Sequence, residues 1–294
     1  MNKQTDEITQ KLKDYFKKRD DVVMAFLFGS RAGGSTRAIS DWDIAVYFTP
    51  EKEYIEWEER GREYQQEDRV WSDCMEILQT DNVDLLVLNR APSSICATAI
   101  QGTPLIIKDY GLWLKFMLII TREAEDYREF VNEYYAISQR SASISPQDEE
   151  NLKRTLSFFE EQMTLYAYFA DLSEKEYTNN IHQRNDVERW IENIVNASID
   201  MSKIILASEK KTIPDTYKNV IKHAAWALKL EEDFAERFER WVKLRNVLAH
   251  EYLDLKWKRI SGFIQNSEGC FKSFKKAAQR YLEEDSSMPD IEEK

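Results

Sequence analysis

Two aspartates, Asp41 and Asp43, stand one residue apart in "SDWDIAVYF". If that stretch is a strand, residues i and i+2 project from one face. Two carboxylates set side by side repel each other unless a cation neutralises them. A hard divalent ion such as Mg2+, which prefers oxygen ligands, suits such a pair. Upstream of Asp41 by twelve and eleven residues, Gly29 and Ser30 follow the apolar run "DVVMAFLF". A small-residue turn there offers backbone amides and a hydroxyl to an anion, and Gly33 and Gly34 keep the following loop free of bulk. Asp84 opens a further apolar run, "VDLLVL". If that run pairs beside residues 41–48, its carboxylate joins the first two. Carboxylates for a metal beside a turn for phosphate are the equipment of phosphoryl or nucleotidyl transfer.

The elements that must position these groups follow from the apolar spacing. Ile8, Leu12 and Phe16 recur at four-residue steps, which predicts an amphipathic helix. The uninterrupted run to Phe28 reads as a strand buried on both faces. In 41–48, Trp42, Ile44, Val46 and Phe48 share one face and Asp41, Asp43, Ala45 and Tyr47 the other. The charged stretch 51–79 is predicted to be helical, 83–88 a third strand and 103–108 an edge strand. From residue 112 onward the pattern is helical, with segments expected near 148–170, 183–208, 216–228, 231–252 and 255–283. Ser145 or Asp148 is positioned to cap the first of these. The serine-rich stretch 138–147 reads as a linker between a domain at 1–137 and another at 148–285, and 286–294 as a disordered tail. The expected fold is an α+β N-terminal domain followed by an all-α helical bundle.

Bulk properties narrow the function classes. A net charge of −12 over 294 residues argues against a surface built for nucleic acid as a whole, though not against a small basic site. Cys74, Cys96 and Cys270 are too few and too scattered for a disulfide framework or a zinc site. The polar start and the lack of a long apolar run point to a cytoplasmic protein with no membrane partner.

The combination of strand, Gly-Ser, glycine-bearing loop, Ser-Asp-x-Asp on the next strand and an aspartate on a third resembles the minimal nucleotidyltransferases of the polymerase beta superfamily. The resemblance implies Asp41 and Asp43 as magnesium ligands and Asp84 as a third ligand or base. It implies Gly29, Ser30, Arg31, Gly33 and Ser40 on the side of the nucleotide, with ATP as substrate.

A second motif lies in "FAERFERWVKLRNVLAHEYLDL" (234–255). Phe234, Phe238, Trp241, Leu244 and Leu248 form one helical stripe, an ordinary core face that needs none of Arg245, His250 or Tyr252. The spacing Arg-x4-His-x-Tyr, with Asn246 after the arginine, is similar to the signature of HEPN domains of the HepT-like toxin group. That resemblance implies a metal-independent ribonuclease site of Arg245 and His250 in the cleft of a homodimer, with RNA as substrate. His250 can move a 2′-hydroxyl proton and Arg245 can stabilise charge on phosphate. On a regular helix positions 245 and 250 differ by about 140°, and 245 and 252 by about 20°.

Stand-alone members of the two families pair as antitoxin and toxin, the transferase adenylylating the toxin's tyrosine. The expectation is therefore a fused unit in which the first domain places AMP on Tyr252 and silences the ribonuclease. A second acceptor class fits the same equipment: a cationic aminoglycoside-type small molecule, drawn by Glu58, Glu59, Glu63, Glu67 and Asp68. The two differ in one respect, because only the first needs Tyr252.

Overall fold

The computed structural model describes residues 3–31, 41–51, 55–59, 61–231, 233–250 and 256–285, without the side chains of 3–6, 250 and 285. The chain forms two compact units, Met1–Asp126 and Tyr127–Lys294.

The first unit is built on a four-stranded mixed sheet among the described residues. In chain order its elements are α1 (Lys3–Lys17), β1 (Val22–Phe28), a 3-10 turn (Gly29–Arg31), β2 (Trp42–Phe48), α2 (Glu67–Leu78), β3 (Val83–Val87), α3 (Ser93–Ile100) and β4 (Thr103–Ile107). The first part of α4 (Tyr110–Arg140) completes it. The strand order is β3-β2-β1-β4. β1 pairs antiparallel with β2 and β4, and β2 pairs parallel with β3.

Both faces of the sheet are covered, which is why β1 is apolar throughout. Leu12 and Phe16 of α1 and Val70 and Cys74 of α2 meet Trp42, Ile44, Val46 and Phe48 on one face. On the other, Cys96 and Ala99 of α3 and Phe116 and Ile120 of α4 meet Phe26, Ala45 and Tyr47. The alternation expected of residues 42–48 is realised in full. The third strand and the edge strand at β4 also form where the sequence placed them.

The charged stretch differs from its expectation. Only Glu67–Leu78 is helical, while the described part of 55–66 is irregular. The reason is Glu56, which is 1% exposed and cannot stay buried without partners. The irregular backbone folds Arg62 onto its carboxylate, Tyr64 Oη donates to it at 3.3 Å, and Tyr47 Oη accepts from its amide at 2.9 Å. A regular helix over 51–79 would have carried this carboxylate into solvent. Helix α3, an eight-residue element, was not foreseen either.

The second unit is helical among the described residues. It takes α4 from Tyr127 onward and continues through α5 (Pro146–Phe169), α6 (Glu174–Asn179), α7 (Ile181–Ser208), α8 (Tyr217–Ala227), α9 (Phe234–His250), α10 (Trp257–Asn266) and α11 (Glu268–Asp285). The division thus lies inside α4, earlier than the serine-rich stretch, because Tyr127, Phe130, Tyr134 and Ile137 already belong to the helical core. Residues 141–145 are the turn from α4 into α5, where Ser145 Oγ accepts from the amide of Asp148. Helix α7 is the centre of the unit. Its Trp190 is 2% exposed and packs against Tyr166, Phe169 and Phe263. The stripe Phe234, Phe238, Trp241, Leu244 and Leu248 of α9 is buried as expected.

One surface contact of the first unit reports on pH. Arg19 grips Asp21 with two hydrogen bonds, of 2.8 and 2.5 Å, in the turn between α1 and β1. The guanidinium holds the Asp21 carboxyl below its ordinary value of 3.8. A carboxylate depressed in the folded state contributes stability above the unfolded value and loses it as pH falls through the folded one. Asp21→Asn should therefore cost about 1 kcal/mol or less at pH 7. The difference in Tm from wild type should shrink below pH 3.8. Thermal unfolding at several pH values reads both effects.

Candidate functional site

β1 ends at Phe28, which lies opposite Asp43 in the antiparallel register. Asp43 in turn lies opposite Asp84 in the parallel pair of β2 and β3. Residues in register on adjacent strands share a face, with backbones about 4.8 Å apart. The sheet thus sets Asp43 and Asp84 side by side at one end, with Asp41 two residues before Asp43. Asp43 is partly buried, and Asp41 and Asp84 are exposed.

The electrostatics follow from that placement. Burial raises the Asp43 carboxyl above its ordinary value, and the negative charges of Asp84 and then Asp41 raise it further. Arg31 opposes them. Its Nε donates to the carbonyl of Asp41 at 3.1 Å, and its guanidinium carbon stands 4.4 Å from the Trp42 ring centroid. Trp42, read from the sequence as a core residue only, is thus also the platform for this arginine.

The turn next to the carboxylates has a steric requirement. Gly29 has φ of +69°, a conformation open to glycine and strained for other residues. A Cβ there would fall 2.0 Å from Asp43 Oδ2. Gly102, on the other side of β1, is equally constrained, since its Cβ would meet the Leu27 carbonyl at 2.3 Å. Small residues on both sides let the backbone approach this end of the sheet closely.

No group of three or more histidine, cysteine, aspartate or glutamate side chains among the described residues stands ready to hold a metal. The three carboxylates influence one another without closing a cluster. Their chemistry nevertheless fits magnesium: hard oxygen donors, mutually repelling, on a rigid sheet end. Gly33 and Ser40 lie outside the described residues.

Arg245 belongs to the second unit. Helix α9 runs from Phe234 to His250, so it carries the positions of both Arg245 and His250. The His250 side chain and Tyr252 lie outside the described residues. Arg245 Nε donates to Asn196 Oδ1 of α7 at 2.7 Å, and a terminal nitrogen donates to Asn246 Oδ1 at 3.1 Å. The guanidinium carbon stands 5.2 Å from the ring centroid of Tyr217 on α8. Asn246 is 4% exposed, so a residue read only as part of a motif is a buried prop for the arginine. Asn196 and Tyr217 were missed. The stretch "IENIVNASID" carries two amides, Asn193 and Asn196, and nothing local separates them.

Gly29→Ala should lower the stability of the protein by about 2 kcal/mol or more, from left-handed strain together with the clash on Asp43. Asp43→Ala in that background should return part of the loss, since it removes the clashing oxygen. Denaturant unfolding of the two single variants and the double variant measures the coupling.

Comparison with known proteins bears on both parts of the chain. A model of "Polymerase beta, Nucleotidyltransferase" matches residues 10–110, and a model of "Ribonuclease HepT-like" matches residues 149–278. A solved structure titled "Crystal structure of the toxin-antitoxin with AMP-PNP" is similar at 21% identity and a TM-score of 0.32, over 44% of this chain and 94% of that one. Among curated proteins no match was found. The chain is a polymerase beta-type nucleotidyltransferase domain followed by a HepT-like HEPN domain.

Proposed function

We propose that the protein is a fused toxin–antitoxin unit, in which the first domain adenylylates Tyr252 and thereby silences a ribonuclease site in the second. The observation that carries the transferase half is the register that sets Asp43 beside Asp84, next to the Gly29 turn. Asp41, Asp43 and Asp84 are the residues that would hold magnesium, which when bound supplies charge neutralisation and a more acidic attacking hydroxyl. Gly29, Ser30 and Arg31, with Gly33 and Ser40, receive the phosphates of ATP. The phenolic oxygen of Tyr252 forms a bond to the α-phosphorus. The bond from that phosphorus to the bridging oxygen breaks, pyrophosphate leaves, and the phenolic proton passes to a carboxylate or to water.

In the second domain, Arg245 stabilises charge on an RNA phosphate while His250 takes the proton of the 2′-hydroxyl. The 2′-oxygen attacks phosphorus and the 5′-oxygen leaves. The 140° between positions 245 and 250 favours a homodimer cleft to which each chain contributes. Asn196 and Tyr217 support this reading because they hold the guanidinium in one place. A bulky anion on Tyr252 would compete with RNA for it. A small-molecule transferase remains the outcome if Tyr252 is no acceptor. In favour of the protein acceptor, Glu67, one of the five acidic residues of the small-molecule reading, is already engaged by Arg90.

The test is intact mass with peptide mapping after incubation with ATP and magnesium. Unmodified wild type should gain AMP-sized increments on Tyr252, and Asp43→Asn and Tyr252→Phe should gain none there. An unmodified wild type that stays unlabelled would sink the proposal. The Asp43→Asn protein should cleave single-stranded RNA and Arg245→Ala in that background should not. Asn196→Ala there should slow cleavage by about tenfold, the worth of one hydrogen bond to a charged group. Circular dichroism should show its helices intact.

A further inference from the structure

Helix α7 carries three buried serines in its second half, and they behave differently. Ser198 Oγ donates to the carbonyl of Ile194 at 2.9 Å, and Ser202 Oγ to that of Ser198 at 2.7 Å. These are the usual bonds of a buried helical serine to the preceding turn. Ser208, 3% exposed at the end of the helix, makes no hydrogen bond through its hydroxyl among the described residues. A buried hydroxyl without a partner costs about 1–3 kcal/mol, so its persistence calls for an explanation.

Ser208 lines a cavity of about 710 Å³ within the second unit. The volume is in the range of small-molecule sites. Two aromatic side chains, Trp226 and Tyr281, and three cations, Lys211, Lys229 and Arg280, share the wall. Two carboxylates, Glu209 and Glu284, are there as well, and Glu209 lies 3.5 Å from Lys211. Among the described residues Lys229 and Arg280 have no carboxylate partner. In a chain of net charge −12, a wall with three cations against two anions is a local reversal of sign.

Trp226 is 58% exposed. It is not loose. His223 stacks on it at 5.2 Å with the planes 23° apart, and Lys222 Nζ stands 5.1 Å from its centroid. A fixed, exposed indole beside cations is a platform for a nucleobase attached to a phosphate.

We infer that this cavity binds a nucleotide, with the base on Trp226, the phosphate on Lys229 and Arg280, and a polar atom of base or sugar on the Ser208 hydroxyl. The site is separate from Arg245. Tyr217, which touches Arg245, and Trp226 are nine residues apart on α8 and so on opposite sides of it, about 180° apart. It therefore stands whether or not Arg245 cleaves RNA. A free mononucleotide and one nucleotide of a single-stranded RNA present the same chemistry to this wall.

The experiment is photo-crosslinking of the full-length protein in magnesium-free buffer, with cross-linked peptides mapped by mass spectrometry. One arm uses 8-azido-AMP and the other a short oligoribonucleotide carrying 4-thiouridine. Labelling of peptides containing Trp226 or Tyr281 is expected in at least one arm. The arm that labels more strongly, and is displaced only by its own unlabelled form, identifies the source. Trp226→Ala and Arg280→Ala, both surface changes, should reduce that labelling at least tenfold. Ser208→Ala should reduce it about threefold to tenfold while leaving Tm unchanged or higher, since the hydroxyl it removes is unbonded in the free protein. No label on these peptides in either arm, or equal labelling in wild type and all three variants, would overturn the inference.

Discussion

The first domain depends on one close approach, that of the Gly29 backbone to the carboxylate of Asp43. A side chain at position 29 would overlap Asp43 Oδ2, so the turn and the carboxylate share this end of the sheet only while position 29 is glycine. The approach exists because Phe28 is opposite Asp43 in the β1–β2 register. That register is fixed in turn by the two cores. A slip of one residue would send Trp42, Ile44, Val46 and Phe48 to the face of α3 and α4, and Ala45 and Tyr47 to that of α1 and α2. The position of a charged group is therefore set by apolar packing on both sides of the sheet. Asp43 is held where burial and two neighbouring carboxylates raise its proton affinity, which is an unfavourable place for a charge without a cation.

The parts of this arrangement that repeat with the period of their element were legible in the sequence. Alternation in 42–48 gave the shared face of Asp41 and Asp43. The unbroken run to Phe28 gave a strand covered on both sides, and the four-residue steps of α1 and the stripe of α9 gave their core faces. What was not legible depends on partners far along the chain. The irregular path of residues 55–66 is dictated by a buried carboxylate whose partners include Tyr64 and Asn89, the latter 33 residues away. No local pattern distinguishes Glu56 from the other glutamates around it. Likewise Asn196 meets Arg245 across 49 residues of sequence. Periodicity reports which face of an element is apolar, whereas a polar contact between elements leaves no periodic trace.

The two domains solve opposite electrostatic problems. At the end of the sheet three negative groups gather, and Arg31 is the cation that offsets Asp43. In the helical domain a positive group is the centre, and the groups that orient it through the hydrogen bonds described are amide oxygens of Asn196 and Asn246. Amides fix a guanidinium without adding a negative charge of their own. The aromatic face of Tyr217 does the same from a third direction. Carboxylates in those places would have added ion pairs to the guanidinium, which amide oxygens do not.

That contrast gives the proposed silencing reaction a physical basis. An unmodified tyrosine carries no charge at neutral pH. Attachment of AMP converts the same side chain into a phosphodiester with one negative charge and a large planar base. The modification is tethered, so it acts at a high effective concentration compared with free RNA. Tyr252 is four residues before Lys256, whose amide donates to Tyr177 Oη at 3.2 Å, and two after the end of α9. Tyr252 follows Arg245 by seven positions, so on the proposed reading an attached phosphate stays within a short length of chain of the guanidinium. On the proposed reading, the charge change on one tyrosine would turn Arg245 from an external phosphate to an internal one.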